Sequence, residues 1–254
     1  PETDRIWMTN WNTGSFENES SGLVYTNDHG QTFHHFLRGK RINDVGFKDG
    51  VIFAAGDQGL YISRDDGKSW QFVNEIRSPN TFIRNTAQYL SVAATTDHIW
   101  IGTGDGIASS DDLGDSWSQV NDGAVAGTLG GFAWYFGQIR VAPGDANTVY
   151  TLGVQLMKSS NGGASWSDVR GVTHVDFHDL YMLPSNTNVV YNGCDGGVNY
   201  STDGGASWSA TGAGLGAKKV WGMTTTPAAP DLVYAGTYEN GLFRSVDFGA
   251  TWDS

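Results

Sequence analysis

Short apolar runs alternate with glycine-rich polar turns along the whole chain. The runs are rich in β-branched and aromatic residues, as in TVYTLGV, VVYNGCD and LVYAGTY, and shorter runs such as GVNYS and GLFRS follow them. This pattern is typical of successive β-strands, and the 3.6-residue period of amphipathic helices is missing. The pattern therefore predicts an all-β chain of short antiparallel strands.

A polar motif follows these strand pairs. It reads Ser or Thr, any residue, Asp or Asn, any residue, Gly, any residue, Ser or Thr, and an aromatic residue. Its copies start 37 to 49 residues apart, at Thr26, Ser63, Ser110, Ser159, Ser201 and Ser245. Such a period suits a four-stranded propeller blade. We therefore expect a β-propeller of about six, or part of seven, four-stranded antiparallel blades.

The motif is interpreted as a folding device. The oxygen of its third residue can accept backbone N–H groups in an Asx-type turn, and its glycine supplies a positive φ. The aromatic residue begins the fourth strand, and its ring is expected to pack between neighbouring sheets. The third residues are therefore assigned a structural role: Asp28, Asp65, Asp112, Asn161, Asp203 and Asp247.

These six motifs resemble the Asp-box, or bacterial neuraminidase repeat, of β-propeller proteins. The resemblance covers almost the whole chain and implies a single Asp-box propeller over residues 1–254. Sialidases, xyloglucan-cleaving glycoside hydrolases, sortilin-type receptors and photosystem assembly factors all contain such boxes. The resemblance therefore implies a fold and assigns no reaction.

Residue-level comparison separates these families. The sialidase reading is disfavoured because neither Arg5 nor Arg84 is followed by Ile-Pro. Cys194 alone cannot represent the cysteine-rich module of sortilin-type receptors, and an acidic chain does not suit the arginine-rich face of the photosystem assembly factors. The chain resembles secreted glycosyl-hydrolase-like and xyloglucanase-type repeat proteins most, with the densest similarity from Ile139 to Trp208.

Charge and composition limit the classes of binding partner that the chain is expected to have. The chain has 254 residues, with 15 basic and 27 acidic side chains and a net charge of −12. This charge repels nucleic-acid phosphate and anionic lipid, so we expect no nucleic-acid partner. The sequence contains no apolar run of about 18 residues, so we expect no membrane insertion. The single Cys194 excludes an intrachain disulfide. The resemblance implies a secreted or cell-surface protein that requires no cofactor.

The two terminal repeats differ in their number of predicted strands. Four strands are predicted in the last repeat, whereas only three are predicted in the first. Propellers usually close by completing one blade from both chain ends. We therefore expect either a fragment of a longer secreted parent or a six-bladed ring with an imperfect closing blade, and the first is preferred.

The segment HVDFHD is a candidate metal site. If it forms a strand, His174, Asp176 and His178 share one face, while Val175 and Phe177 share the other. On the first strand of a blade, the polar face would line the central channel. Two imidazoles and a carboxylate could then bind zinc or another divalent metal. The alternative interpretation is a polar channel lining without metal.

Two further residue sets are candidates for a function on polysaccharide. Glycoside hydrolysis needs two carboxylates, and the candidates are Asp176, Asp179 and Asp195. Asp195 is also the nearest candidate for a fourth metal ligand. The aromatic run Trp134, Tyr135 and Phe136 could form a platform on which sugar rings stack. In the alternative interpretation, the side chains on one face of this strand pack in the core and those on the other face line the channel.

Two classes of function remain. The favoured one is an extracellular recognition or scaffold module that binds glycans or another protein, because no unambiguous catalytic pair is present. The alternative is a xyloglucanase-like glycoside hydrolase acting on a polysaccharide, which the resemblance and the available aspartates support.

Overall fold

A computed structural model describes most of the chain, and the elements named in it are β-strands. The described residues are 5–10, 21–78, 81–83, 89–103, 106–120, 125, 137–211, 213–216, 218–226 and 228–254. Two compact units divide the chain, Pro1–Val120 and Asn121–Ser254. No helix within the described ranges has both the length and the apolar character needed to cross a membrane.

The first unit holds three antiparallel sheets and a separate hairpin. Sheet 1 is formed by β1 (Ile6–Asn10), β2 (Gly22–Thr26) and β3 (His34–Phe36). Sheet 2 is formed by β4 (Ile42–Lys48), β5 (Val51–Gly56), β6 (Gly59–Ser63) and β7 (Gln71–Val73). The hairpin pairs β8 (Ile76–Ser78) with β9 (Thr81–Ile83). Sheet 3 is formed by β10 (Tyr89–Ala94), β11 (Ile99–Thr103), β12 (Gly106–Ser110) and β13 (Ser118–Gln119).

The second unit also holds three antiparallel sheets. Sheet 4 is formed by β14 (Gln138–Ala142), β15 (Asp145–Leu152), β16 (Leu156–Ser159) and β17 (Ser167–Asp168). Sheet 5 is formed by β18 (Phe177–Met182), β19 (Val190–Cys194), β20 (Gly197–Ser201) and β21 (Ser209–Thr211). Sheet 6 is formed by β22 (Val220–Thr226), β23 (Ala229–Thr237) and β24 (Gly241–Ser245).

The predicted all-β architecture of antiparallel meanders is confirmed. In sheets 2 to 5, neighbours in the chain are neighbours in the sheet, and each box joins the third strand to the fourth. Sheet 1 has three strands among the described residues, and they correspond to the second, third and fourth strands of sheet 2. In sheet 6 the fourth strand is reduced to one bridge between Arg244 and Asp253.

Each box forms a closed network of hydrogen bonds within its own turn. The hydroxyl of Ser201 donates to Oδ1 of Asp203 at 2.7 Å and accepts the N–H of Gly205 at 2.8 Å. The backbone and hydroxyl of Ser207 donate to the two oxygens of the same carboxylate at 2.8 and 2.6 Å. The equivalent contacts recur in the other four Asp boxes. The box with Asn161 keeps three of them, and in the fourth the amide of Asn161 donates to the hydroxyl of Ser165 at 2.9 Å. The box oxygens are thus used in folding.

The box tryptophans pack to different extents. Trp166 and Trp252 are 7% and 5% exposed, and each ring N–H donates to the carbonyl of its own box glycine at 2.9 Å. Trp208 is only partly buried, and its ring N–H donates instead to the carbonyl of Val169 at 2.6 Å. Trp252 packs with Tyr191 in the core between sheets 5 and 6. The predicted packing of box rings between sheets is therefore found at Trp252, and Trp208 also packs against the cluster formed by sheets 4 and 5.

Candidate functional site

The segment HVDFHD does not form one continuous strand. β18 begins at Phe177, whereas Asp176 lies before it in a left-handed conformation with a φ of 66°. His174 is exposed, and its Nδ1 lies 2.9 Å from the carbonyl oxygen of Val175, while His178 is only 4% exposed. The prediction that the three polar side chains share one face is therefore wrong, because the chain turns at Asp176. Phe177 is fully buried between sheets 4 and 5, as predicted.

The same turn removes the geometry expected for a metal site. Within the described ranges, no group of three or more His, Cys, Asp and Glu side chains is placed to hold a metal ion. His174, Asp176 and His178 therefore do not form the ligand set that strand alternation predicts.

Asp179 links three sheets through its carboxylate. Its Oδ1 accepts the N–H of Leu180 at 2.8 Å and the guanidinium of Arg140, in sheet 4, at 3.0 Å. Its Oδ2 accepts the N–H of Met223, in sheet 6, at 2.7 Å. The side chain is 16% exposed. Both oxygens of this predicted catalytic carboxylate are thus engaged with the scaffold.

An equivalent link occurs in the first unit. Asp44 is the third residue of β4, as Asp179 is of β18, and each lies beside a register shift in its sheet. Asp44 accepts the N–H of Val45 at 2.8 Å and, across to sheet 3, the N–H of Val92 at 3.0 Å. Because the arrangement recurs at the same repeat position, we assign Asp179 a structural role.

Asp195 forms an ion-paired cluster at the end of sheet 5. Its Oδ1 lies 2.9 Å from Nε2 of His178, and its Oδ2 lies 2.9 Å from Nζ of Lys219. Burial of the carboxyl tends to raise its pKa, but hydrogen bonds from His178 and Lys219 outweigh that effect and lower the pKa. Asp195 is therefore ionised at neutral pH, when it can accept hydrogen bonds or act as a base.

Three aromatic rings continue this cluster from sheet 5 to sheet 6. The rings of His178 and Trp221 stack with centroids 5.4 Å apart, and those of Trp221 and Tyr238 stack 5.3 Å apart. Trp221 is 42% exposed and Tyr238 is 48% exposed. We refer to Asp195, His178, Lys219, Trp221 and Tyr238 together as the ring–acid site.

The ring–acid site occupies a recurring pair of positions in the repeat. One is the second residue of the first strand, and the other is the residue after the second strand. In sheet 5 the pair is His178 with Asp195, and in sheet 6 it is Trp221 with Tyr238. In sheet 2 it is Asn43, whose side-chain amide donates to Asp57 at 2.9 Å.

Sequence reasoning identified Asp195 and His178 but missed three members of the site. Trp221 lies on β22, Lys219 precedes that strand and Tyr238 follows β23. The pattern of these strands resembles that of the other repeats, so no local motif marks the three residues. An alignment of the repeats at the paired positions would have found the two aromatic residues. The predicted platform lies outside the described residues: Trp134, Tyr135 and Phe136.

Comparison with known proteins identifies the fold of this chain. The family model described as BNR/Asp-box repeat matches residues 200–210, which contain the whole box that begins at Ser201. The GH74 xyloglucanase from Xanthomonas campestris superposes with a TM-score of 0.67 at 15% identity, over 98% of this chain and 45% of that one. The chain has the Asp-box β-propeller fold. The fold class predicted from the boxes is therefore confirmed.

Other relatives of this Asp-box propeller include one curated enzyme and a second structural group. The xyloglucanase of Hypocrea jecorina (strain QM6a) is 29% identical over 160 residues, which cover 59% of this chain and 18% of that protein. YCF48 bound to D1 peptide has a TM-score of 0.68 at 17% identity, over 93% of this chain and 74% of that one. The chain therefore spans less than a fifth of the curated relative.

Proposed function

We propose that this Asp-box propeller is a secreted or cell-surface recognition module that binds polysaccharide at the ring–acid site. The observation that carries the proposal is the half-exposed ring pair of Trp221 and Tyr238 beside the ionised Asp195. Sugar rings pack against aromatic faces, and their hydroxyl groups donate to carboxylates. Apolar surface with a few convergent polar groups is the usual composition of a small-molecule site.

The charges of the site suit a hydroxyl-rich ligand. Lys219 lies against Asp195, so the carboxylate is already balanced by a cation whose side chain is 55% exposed. Each oxygen of Asp195 has one partner within the site and can accept a further hydrogen bond. A neutral glycan can therefore donate to Asp195 and accept from Lys219 without adding net charge to the protein. The similarity to xyloglucanases supports a polysaccharide ligand, which we propose for this chain.

The test is the binding of a polysaccharide panel, including xyloglucan, measured by affinity electrophoresis and calorimetry. Replacing Trp221 by Ala removes the central ring and is expected to weaken binding about tenfold, since an aromatic contact contributes about 0.5–1.5 kcal/mol beyond area burial. Tyr238→Ala is expected to act in the same direction.

Phe72 provides a matched control for these variants. It is 48% exposed, as Tyr238 is, but it lies on β7 and contacts Tyr61. Phe72→Ala is expected to leave polysaccharide binding unchanged. Equal binding by wild type and Trp221→Ala would show that the proposed site is wrong.

A second candidate function is hydrolysis of polysaccharide, favoured by the match to a xyloglucanase. In this reaction Asp195 would serve as the base or nucleophile, because its lowered pKa keeps the carboxylate ionised at neutral pH. No described carboxyl group stands out as the acid partner. Among the described residues, every carboxyl group whose pKa is shifted has a lowered pKa. A general acid needs a raised pKa.

Release of reducing ends from the same panel distinguishes the two functions. If the chain is a hydrolase, Asp195→Asn should abolish release while polysaccharide still binds. If it is a recognition module, wild type should bind without release. Release that survives in Asp195→Asn would assign the reaction to other residues.

A further inference from the structure

A cavity in the first unit lies beside sheet 2. Its volume is about 510 Å³, which is within the roughly 300–1,000 Å³ typical of small-molecule sites. Three segments line it, the connection from β3 to β4, the turn from β5 to β6, and β6 itself. They contribute the side chains of Arg38, Lys40 and Arg41, of Asp57 and Gln58, and of Tyr61. We refer to this cavity as the cation pocket. Its residues belong to the first unit, whereas the ring–acid site belongs to the second.

The cation pocket is positively charged although the protein is acidic. Arg38, Lys40 and Arg41 are accompanied by one carboxylate, Asp57, which leaves a local charge of +2 in a chain whose net charge is −12. An extended polyanion would also meet the acidic surface around the pocket, whereas a small anion responds mainly to the charges beside it. The charge distribution therefore favours a small anionic ligand.

Hydrogen-bond donors dominate the lining of the pocket. Arginine and lysine side chains carry N–H donors and no acceptor. The carboxylate and amide oxygens already have donors: Oδ1 of Asp57 accepts the amide of Asn43 at 2.9 Å, and Oδ2 lies 3.2 Å from Nη1 of Arg41. Oε1 of Gln58 accepts Nζ of Lys40 at 3.4 Å. A ligand rich in acceptor oxygens therefore suits this lining.

The backbone fixes where these cations lie. Leu37 and Gly39 both have a left-handed conformation, with φ angles of 50° and 73°. The N–H of Gly39 donates to the carbonyl of Ser21, and that of Lys40 donates to the carbonyl of Leu37, each at 3.0 Å. The connection is therefore a hydrogen-bonded turn attached next to β2. A turn held in this way has less conformational freedom to lose when a ligand binds.

The repeat itself does not require cations at this place. In three sheets, the N–H of the residue after the second strand donates to the carbonyl of the residue before the first strand. The pairs are Asp57 with Arg41 at 3.2 Å, Asp195 with Asp176 at 3.2 Å, and Tyr238 with Lys219 at 2.9 Å. One and three residues further back, sheet 5 has Val175 and Thr173, and sheet 6 has Lys218 and Gly216. Among these three sheets, only sheet 2 has a cation at all three positions, so folding alone does not explain the cluster.

We propose that the cation pocket binds a phosphate monoester of a sugar. A phosphate monoester carries about −1.5 to −2 charges at pH 7 and has three strong acceptor oxygens, so it matches both the local charge and the donors. A carboxylate would balance only one of the two positive charges. Arginine can donate to phosphate through two parallel N–H groups, while lysine acts as a point charge.

Tyr61 provides a wall for the sugar. It is 6% exposed, and its ring packs against Phe72 with the centroids 4.9 Å apart. The exposed edge of this ring borders the cavity. A phosphate group alone fills only a small part of the volume, so the remainder has room for a sugar ring against Tyr61.

Calorimetry on the whole chain tests the proposal with three probes, glucose 6-phosphate, inorganic phosphate and glucose, at one ionic strength. Glucose 6-phosphate is expected to bind at a single site, at least about tenfold more tightly than glucose, since hydrogen bonds to charged groups are the stronger ones. Inorganic phosphate should bind more weakly than the ester, because it leaves the wall at Tyr61 uncovered. Equal affinity for the two phosphate compounds would overturn the sugar part of the proposal.

Variants locate the binding. Lys40→Met removes the charge but keeps an unbranched stem, and it should weaken binding of glucose 6-phosphate about tenfold. Lys40→Arg should retain binding. Lys68→Met is the matched control, because Lys68 is an exposed lysine in the box of the same sheet and does not line the pocket. It removes the same charge and should change the affinity by no more than about twofold. Trp221→Ala should also retain binding, since the ring–acid site is separate.

Three results would overturn the proposal. One is the absence of saturable binding of both phosphate compounds. Another is an equal loss of affinity in Lys40→Met and Lys68→Met, because binding would then follow only the net charge. The third is a loss in Trp221→Ala equal to that in Lys40→Met, which would assign the ligand to the ring–acid site.

Arg38→Met is a second variant of the pocket that does not depend on how Lys40→Met folds. Arg38 is exposed, so its replacement should leave the Tm within about 2 °C of the wild type. The affinity for glucose 6-phosphate should fall as it does in Lys40→Met, and unchanged affinity in both variants would show that the pocket does not bind the phosphate.

Discussion

Removing the carboxylate of Asp179 should destabilise the fold, and the structure allows the size to be worked out. Asp179→Ala deprives the N–H groups of Met223 and Leu180 of their acceptor. A buried donor left without a partner costs about 1–3 kcal/mol. The ion pair with Arg140 adds little, because that guanidinium is one-third exposed. Two such donors sum to about 2–6 kcal/mol, and because both contacts are only partly buried the expected loss is in the lower part of that range, about 2–4 kcal/mol.

Thermal unfolding followed by tryptophan fluorescence measures this loss. A decrease of about 2–4 kcal/mol corresponds to a Tm about 4–16 °C lower for a domain of this size. Asp179→Asn keeps one acceptor oxygen and should lose about half as much free energy of unfolding as the Ala variant. Asp44→Ala is the matched comparison in the first unit, and it should be destabilised to a similar extent, since it lacks the same cross-sheet acceptor.

A particular combination of results would refute the structural assignment. If Asp179→Ala retained the wild-type Tm but lost polysaccharide binding or hydrolysis, the carboxylate would act on the ligand. A loss of both stability and binding fits the assignment, because the Met223 N–H held by Asp179 lies two residues from Trp221.

The other predictions concern the boxes. Trp252→Ala should cost about 3–5 kcal/mol in denaturant unfolding, and Trp208→Ala should cost less because its ring is only partly buried; a larger loss at Trp208 would contradict this order. The pKa of Asp203 is about 2, held down by the hydroxyl and N–H of Ser207. It is therefore below the unfolded value of about 3.9, so this carboxylate stabilises the fold above about pH 4 and ceases to do so as pH falls to about 2. Asp203→Asn should flatten that acid dependence while keeping the turn, as Asn161 does naturally; an unchanged acid profile would contradict it.

The repeat architecture was predictable from the sequence because each box contains all the residues that form its turn. Acceptor, donors and glycine lie within eight residues, so local chemistry determines the turn without help from the rest of the chain. The strands beside each box follow from β-branched and aromatic residues bounded by glycine.

The candidate site was predicted less well because it depends on contacts between sheets. A strict alternation predicted His174, Asp176 and His178 on one face, but the left-handed turn at Asp176 interrupts the strand. Trp221 and Tyr238 are 17 residues apart in sequence and meet only through the meander. Such contacts require the fold before they can be recognised.

The recurring pair of positions that holds Asn43 with Asp57, and Trp221 with Tyr238, has a consequence for how such proteins diversify. Neither pair supplies the box hydrogen bonds that close each turn. Repeats stack through their neighbours, so stability is spread over many similar interfaces. Under the proposed function, exchanging an amide–acid pair for an aromatic pair would change the ligand-contacting surface of one repeat while the hydrogen bonds of the boxes stay the same. Binding specificity would then change one repeat at a time.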